Sequence, residues 1–148
     1  MANTILIVED EAITALDLKF TLEELGYDVV DTVDNGQDAI DTAAELCPDL
    51  TIMDINLKGQ MNGIEAAKKI LELNLAVIYL TANSDEATFQ EALQHSSASA
   101  FISKPFNKDA IKHNIDIAIT RSKIEAEKID LAHGFVIGNI EHTVIEPP

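Results

Sequence analysis

Five short apolar runs, separated by segments with helical spacing, constrain this chain more than any other feature. They are Thr4–Val8 (TILIV), Tyr27–Val33 (YDVVDTV), Leu50–Met53 (LTIM), Ala76–Leu80 (AVIYL) and Ala100–Ser103 (AFIS). Runs this brief, rich in Val and Ile and mostly lacking polar alternation, suit strands covered on both faces. The spacing between and after them predicts helices over about 12–25, 36–46, 63–73, 85–94 and 108–132. Local punctuation agrees: Gly26 stands where a left-handed helix stop belongs, Asn35-Gly36 marks a turn, Pro48 closes the second helix and Ser84 is placed to cap the fourth. Short connections of this kind require right-handed crossovers and a parallel sheet with helices on both faces. The expected fold is therefore α/β, a doubly wound five-stranded parallel sheet in the order 2-1-3-4-5. In such a sheet ligands sit beyond the carboxyl ends of the strands, near the switch point between the first and third.

That rim collects the residues with chemistry. Glu9-Asp10 follows the first strand, Asp54 the third, Thr81 the fourth and Lys104-Pro105 the fifth. Singly, an acid after a strand reads as a helix cap and Lys-Pro as a loop; their joint occurrence on four strand ends is hard to attribute to turn chemistry. Three carboxylates on one rim repel one another, and such a cluster persists chiefly by sharing a hard cation and a nearby amine. The set supports phosphoryl transfer to a carboxylate, in which the protein aligns the acceptor and neutralises charge on the moving oxygens. Asp54 is expected to be the nucleophile. Glu9, Asp10 and Asp54, with the backbone carbonyl of Asn56, are expected to hold Mg2+, and Lys104 supplies a second positive charge. Thr81 carries a hydroxyl that turns inward once there is a phosphoryl oxygen to bond.

ILIVEDE, MDINLKGQMNGIEA, IYLTAN and AFISKPF, spread over about residues 3–121, resemble the acidic-pair, phosphorylation-site, threonine and lysine-proline motifs of response-regulator receiver domains of the chemotaxis-regulator-like kind. The resemblance implies a flavodoxin-like (βα)5 sandwich, a cytoplasmic location for the chain and a histidine kinase or histidine-phosphotransfer protein as donor. It also implies dependence on Mg2+, with self-catalysed transfer and hydrolysis, so that the chain is a signalling switch and not an enzyme with a free substrate. A cis peptide between Lys104 and Pro105 is implied as well. Phe101, three residues before Lys104, becomes the aromatic switch that turns inward as Thr81 engages the phosphoryl group. Output would pass through protein–protein contacts to an unknown partner on the fourth helix, fifth strand and fifth helix, a homodimer there being one route. Some positions vary from the family pattern. Glu9 stands where many relatives have Asp, so its longer arm is able to reach the metal through water. Asn56 and Asn83 occupy places that tune dephosphorylation, and the small Ala82 leaves the site accessible.

Rival readings fit less well. A magnesium-dependent phosphatase would place a second acid two residues beyond the nucleophile, where Asn56 stands. A flavin-phosphate module would need Ser, Thr or Gly after the first strand, where Glu9-Asp10-Glu11 repels phosphate. A degenerate receiver serving as an interaction scaffold, and a fragment of a longer regulator with an effector domain, both stay open.

Composition narrows the partners. A formal charge of −16 without a basic run argues against direct nucleic-acid contact. The lone Cys47 allows no intrachain disulfide and reads as a buried spectator in a reducing compartment; no signal-peptide pattern or spanning run is present, so no membrane insertion is expected. In the first helix Ala15, Leu18, Leu22 and Leu25 make the stripe expected to face the sheet. Ile13, Leu16 and Phe20 make a second, either a partner surface or a face covered by neighbouring segments. The expected organisation is a receiver domain over 1–121, an extension of the last helix over 122–134 and a tail of unknown role over 135–148. Ile117, Ile124 and Leu131 fall seven apart, too short a pattern for a coiled coil, and His133 and His142 read as surface or packing residues.

Overall fold

The computed structural model describes residues 2–82 and 100–137. The expected helix over 85–94, with Ser84 and Asn83 before it, and the tail from residue 138, with His142, lie outside the described residues. The elements are β1 (Thr4–Val8), α1 (Ala12–Glu24), β2 (Asp28–Val33), α2 (Gly36–Leu46), β3 (Leu50–Asp54), α3 (Gly63–Glu72), β4 (Val77–Ala82), β5 (Ala100–Lys104) and α4 (Lys108–Ile137). The strands form one parallel sheet in the order β2-β1-β3-β4-β5, the doubly wound arrangement that the alternation of runs predicts.

β1, β3 and β4 occupy the middle of that order and are buried nearly throughout, which is why their sequences read as unbroken apolar runs; even Thr51 is buried. β2 is an edge strand, and it keeps Asp28, Asp31 and Thr32 exposed. Strand alternation then makes two cores. Ile5, Ile7, Leu50, Ile52, Ile78, Leu80 and Ile102 face Leu18 and Leu22 of α1 and Ile111, Ile115 and Ile119 of α4. Leu6, Val8, Met53, Val77 and Tyr79 face the small Ala39 and Ala43 of α2 and Ala66, Ala67 and Ile70 of α3. Each large aliphatic side chain so buried contributes about 1.5–3 kcal/mol of transfer free energy.

The helices show where local sequence and tertiary packing agree. Asn35 caps α2, its side chain accepting the Asp38 backbone N–H at 2.9 Å. Gly26 has φ 94°, the left-handed stop expected after α1. Cys47 corrects the sequence reading, for it is exposed. It is the C-cap of α2 with φ 46°, and this left-handed turn follows Ala43, the last buried residue of the helix, so the side chain leaves the core as the chain reverses into the buried Pro48.

In α1, Ala15, Leu18 and Leu22 are buried and Leu25 is partly so, while Ile13, Leu16 and Phe20 are 85%, 52% and 58% exposed. No described residue covers the second stripe. α4 stays helical to Ile137; among its described side chains Ile119 is the last in the core, and Ile124 is exposed. Its first turns are tied to the end of α1: the Tyr27 hydroxyl donates to Asp116 at 3.3 Å and Lys108 pairs with Glu24 at 3.2 Å. Among the described residues no helix is long and apolar enough to cross a membrane.

Candidate functional site

Strand alternation decides what meets at the rim. Glu9 lies two residues beyond Ile7, Asp54 two beyond Ile52 and Lys104 two beyond Ile102, so all three follow the sheet face that packs on α1 and α4. The ladder runs past β1, since the Glu9 N–H donates to the Val33 carbonyl at 3.0 Å. Asp54 ends β3 and is 4% exposed, with one carboxylate oxygen accepting the Asn56 N–H at 3.0 Å. Two further bonds fix the chain after it, Ile55 N–H to the Leu80 carbonyl at 3.1 Å and Gly63 N–H to the Ile55 carbonyl at 3.0 Å. Asp10 is held from the same side, accepting the Lys58 N–H at 3.1 Å.

Gly63 is a site residue that local sequence rules do not reveal. α3 starts with a capping box, Asn62 accepting from the Glu65 N–H at 2.9 Å and Glu65 accepting from the Asn62 N–H at 3.0 Å. This start lies so close to the end of β3 that a Cβ on Gly63 would overlap the Asp54 carbonyl oxygen and stand 2.9 Å from Ile55 Cα. Sequence shows only a glycine after a capping asparagine; the reason for it is an approach between segments distant in local structure.

Carboxylate oxygens of Glu9, Asp10 and Asp54 all lie within 4.8 Å of one another. The Lys104 ammonium stands 3.0 Å from Glu9 Oε1, 3.6 Å from Asp54 Oδ2 and 4.0 Å from Glu11 Oε1. Glu11 is thus a fourth acid near the site, though it is largely exposed. The Glu9 side chain is wholly buried; its Oε2 accepts the Glu11 N–H at 3.1 Å, and its Oε1 has the Lys104 charge beside it but no aligned hydrogen bond. Burial, then the hydrogen bond and charge of Asp54, push the Glu9 carboxyl up to about 7, against a smaller opposing pull from Lys104 and the Glu11 N–H. Burial alone would lower Lys104, but its 3.0 Å contact with Glu9 and the charges of Asp54, Glu9 and Glu11 outweigh that and hold the ammonium above the ordinary lysine value. An all-oxygen donor set of three crowded carboxylates, one with a buried oxygen that meets Lys104 without an aligned hydrogen bond, fits a hard divalent cation and offers nothing to a thiophilic metal.

The other expected residues surround this centre. Asn56 is exposed, with its backbone tied to Asp54. Thr81 is buried one residue beyond Leu80, the strand partner of Asp54, and its hydroxyl is turned to the Ala82 carbonyl at 3.3 Å. Phe101 is half-buried opposite Tyr79, with ring centroids 5.4 Å apart and planes tilted by 37°. Because Tyr79 and Thr81 lie two residues apart on β4 and so share a face, Thr81 and Phe101 lie on the same sheet face. The Lys104–Pro105 peptide is cis. Ile13, Leu16 and Phe20 run down α1 away from the rim.

Residues 5–116 match the family model of the response regulator receiver domain. The chemotaxis protein CheY of Thermotoga maritima is 35% identical over 113 residues, covering 75% of this chain and 92% of that protein. The transcriptional regulatory protein PdtaR of Mycobacterium tuberculosis is 33% identical over 117 residues, covering 79% of this chain; the matched region is 57% of PdtaR's length. Among solved structures, the signal receiver domain of a modulated diguanylate cyclase from Desulfovibrio desulfuricans superposes with a TM-score of 0.79 at 36% identity, covering 84% of this chain and 99% of that one.

Proposed function

The chain belongs to the response regulator receiver domain family, and from that membership we propose that, in the cytoplasm, Asp54 accepts a phosphoryl group from the phosphohistidine of a histidine kinase or histidine-phosphotransfer protein. The observation that carries this reading is the setting of Asp54, with Glu9 and Asp10 within 4.8 Å and the Lys104 ammonium at 3.6 Å. An Asp54 carboxylate oxygen bonds to phosphorus as the phosphorus–nitrogen bond to the donor imidazole breaks, and the electron pair of that bond returns to the ring. Lys104 faces the oxygens on which negative charge gathers, which suits a transfer governed by positioning and electrostatics. Glu9, Asp10 and Asp54, with the Asn56 backbone carbonyl, would hold Mg2+, which supplies Lewis-acid neutralisation of phosphoryl oxygens when bound. Hydrolysis of the acyl phosphate by water returns Asp54 to its carboxylate and releases inorganic phosphate, at a rate that Asn56 and Asn83 would tune.

The readout we propose starts at Thr81, whose hydroxyl leaves the Ala82 carbonyl to bond a phosphoryl oxygen. Phe101 turns inward on the same face, altering the surface offered to an output protein or to a second copy of the chain. Ile13, Leu16 and Phe20 contact the donor. Direct binding to nucleic acid forms no part of this reading.

Intact mass after incubation with Mg2+ and acetyl phosphate tests the chemistry. One added phosphoryl group is expected, absent from Asp54→Asn and from a metal-free sample. If the wild type gains no mass and also fails to bind beryllofluoride, phosphorylation is refuted and a scaffold role takes its place.

A further inference from the structure

The acidic site opens sideways. Between the first turns of α1 and the segment joining β2 to α2 lies a groove of about 620 Å3, lined at one end by Glu9 and Asp10 and along its walls by Leu16, Asp31, Asp34 and Asp38. The three aspartates of the far wall are exposed, and their recorded hydrogen bonds come from neutral groups. Asp31 accepts the Thr32 N–H at 2.8 Å, and the Asn35 side-chain amide donates to Asp34 at 2.8 Å and to Asp38 at 2.9 Å. Among the described residues none of the three has an ion-pair partner, in contrast to Glu9 and Asp54, which share Lys104. Lys19 is the one cation in its lining, against five carboxylates, so the groove is a predominantly negative strip that begins at the proposed metal ligands and ends beside an apolar side chain, with Ile13 and Phe20 also exposed on α1.

Its occupant has to answer both features. An acidic surface would meet three carboxylates as well as the overall charge of −16, and a wholly apolar one would strip water from those carboxylates without pairing them. We propose that the groove selects phosphodonors whose docking helix is basic and amphipathic, its lysines or arginines meeting Asp31, Asp34 and Asp38 while its apolar side chains cover Leu16. This deepens the reading of Asp54 as phosphoacceptor and rests on it, since a helix seated here passes directly beside Glu9 and Asp10. Asp31, Asp34 and Asp38 act as specificity determinants for the protein donor and stand outside the phosphoryl chemistry.

The test uses one histidine-phosphotransfer domain in two phosphorylated versions, with lysines or with glutamates around the phosphohistidine, alongside acetyl phosphate as a donor too small to reach the groove wall. At low ionic strength the lysine version is expected to load the full chain about tenfold faster or more, as electrostatically steered association does. That advantage should shrink several-fold at about 0.5 M salt. It should shrink equally in the Asp31→Asn, Asp34→Asn, Asp38→Asn triple variant, whose loading by acetyl phosphate matches wild type. Equal rates from the two versions, or an advantage kept whole in the triple variant, would overturn the proposal. So would loss of acetyl phosphate loading in the triple variant alone, which would make these residues part of the fold or the site. Failure of the wild type both to load from acetyl phosphate and to bind beryllofluoride overturns the Asp54 reading itself, and the groove proposal goes with it.

Discussion

Replacing Gly63 by alanine should damage both the fold and the site. The added Cβ would overlap the Asp54 carbonyl oxygen and lie 2.9 Å from both Asp54 C and Ile55 Cα, so the atoms in its way are backbone and are unable to step aside as a side-chain tip would. Overpacking of this kind costs about 1–3 kcal/mol, and the helix-propensity gain of alanine over glycine, about 0.5–1 kcal/mol inside a helix, offsets little of it at the first helical position. A net loss of about 2 kcal/mol corresponds to a fall in Tm of about 4–8 °C for a domain of this size. The displaced backbone carries Asp54, so loading by acetyl phosphate should slow by about tenfold or more, the scale on which misplacement of a reacting group by a fraction of an ångström is felt. Gly36→Ala is the control. There the new Cβ meets the Met61 side chain, Sδ at 3.0 Å, and a flexible thioether yields at a cost of about 1 kcal/mol or less. Thermal unfolding and mass-detected loading of both variants decide the matter. If Gly63→Ala melts with the wild type and loads at the wild-type rate, the close approach of α3 to the end of β3 does not constrain the acceptor.

Other expectations follow from local geometry. Burial, then the charge and hydrogen bond of Asp116, raise the Tyr27 phenol from 10.0 to about 12, so its contribution to stability is intact below pH 10 and is lost as pH rises through about 12. Urea unfolding over that alkaline window should show a steeper loss in wild type than in Tyr27→Phe, and parallel curves would remove Tyr27 from the account. Asn62→Ala breaks both arms of the α3 capping box and should cost about 1 kcal/mol in denaturant unfolding; no measurable change would mean that solvent caps α3 as well. Cys47 should react with a thiol reagent in the native protein at a rate near that of a free thiol, and the modified chain should still load phosphate. Protection until unfolding would contradict its exposure.

Much of this molecule is legible in its sequence because the decisive signals are periodic. β1, β3 and β4 announce themselves as apolar runs since both of their faces are covered, and the connections between runs leave few alternatives to the observed strand order. The rim residues are legible for the same reason: once the strands are placed, Glu9, Asp54 and Lys104 fall at their ends with a shared facing. What sequence conceals is contact between segments without a common period. Gly63 answers to a carbonyl at the end of another element. Cys47 reads as a buried residue because cysteine is commonly buried, but the left-handed cap of α2 sends it outward. The acidic wall of Asp31, Asp34 and Asp38 reads as ordinary solvated charge until the fold sets it across a groove from Leu16.

The length of α4 gives the domain a lever. Among the residues whose burial is described, the last packed in the core is Ile119, and the helix continues to Ile137, about 27 Å farther at 1.5 Å per residue. Ile111, Ile115 and Ile119 rest on the same core as Ile102, and Ile102 adjoins Phe101 in β5. A repacking of β5 that tips this seat by about five degrees would swing the far end of a straight helix by about 2 Å, with no residue of the extension rearranged. Displacements too small to expose or bury any side chain at the acidic rim would thereby become displacements on the scale of a side-chain contact.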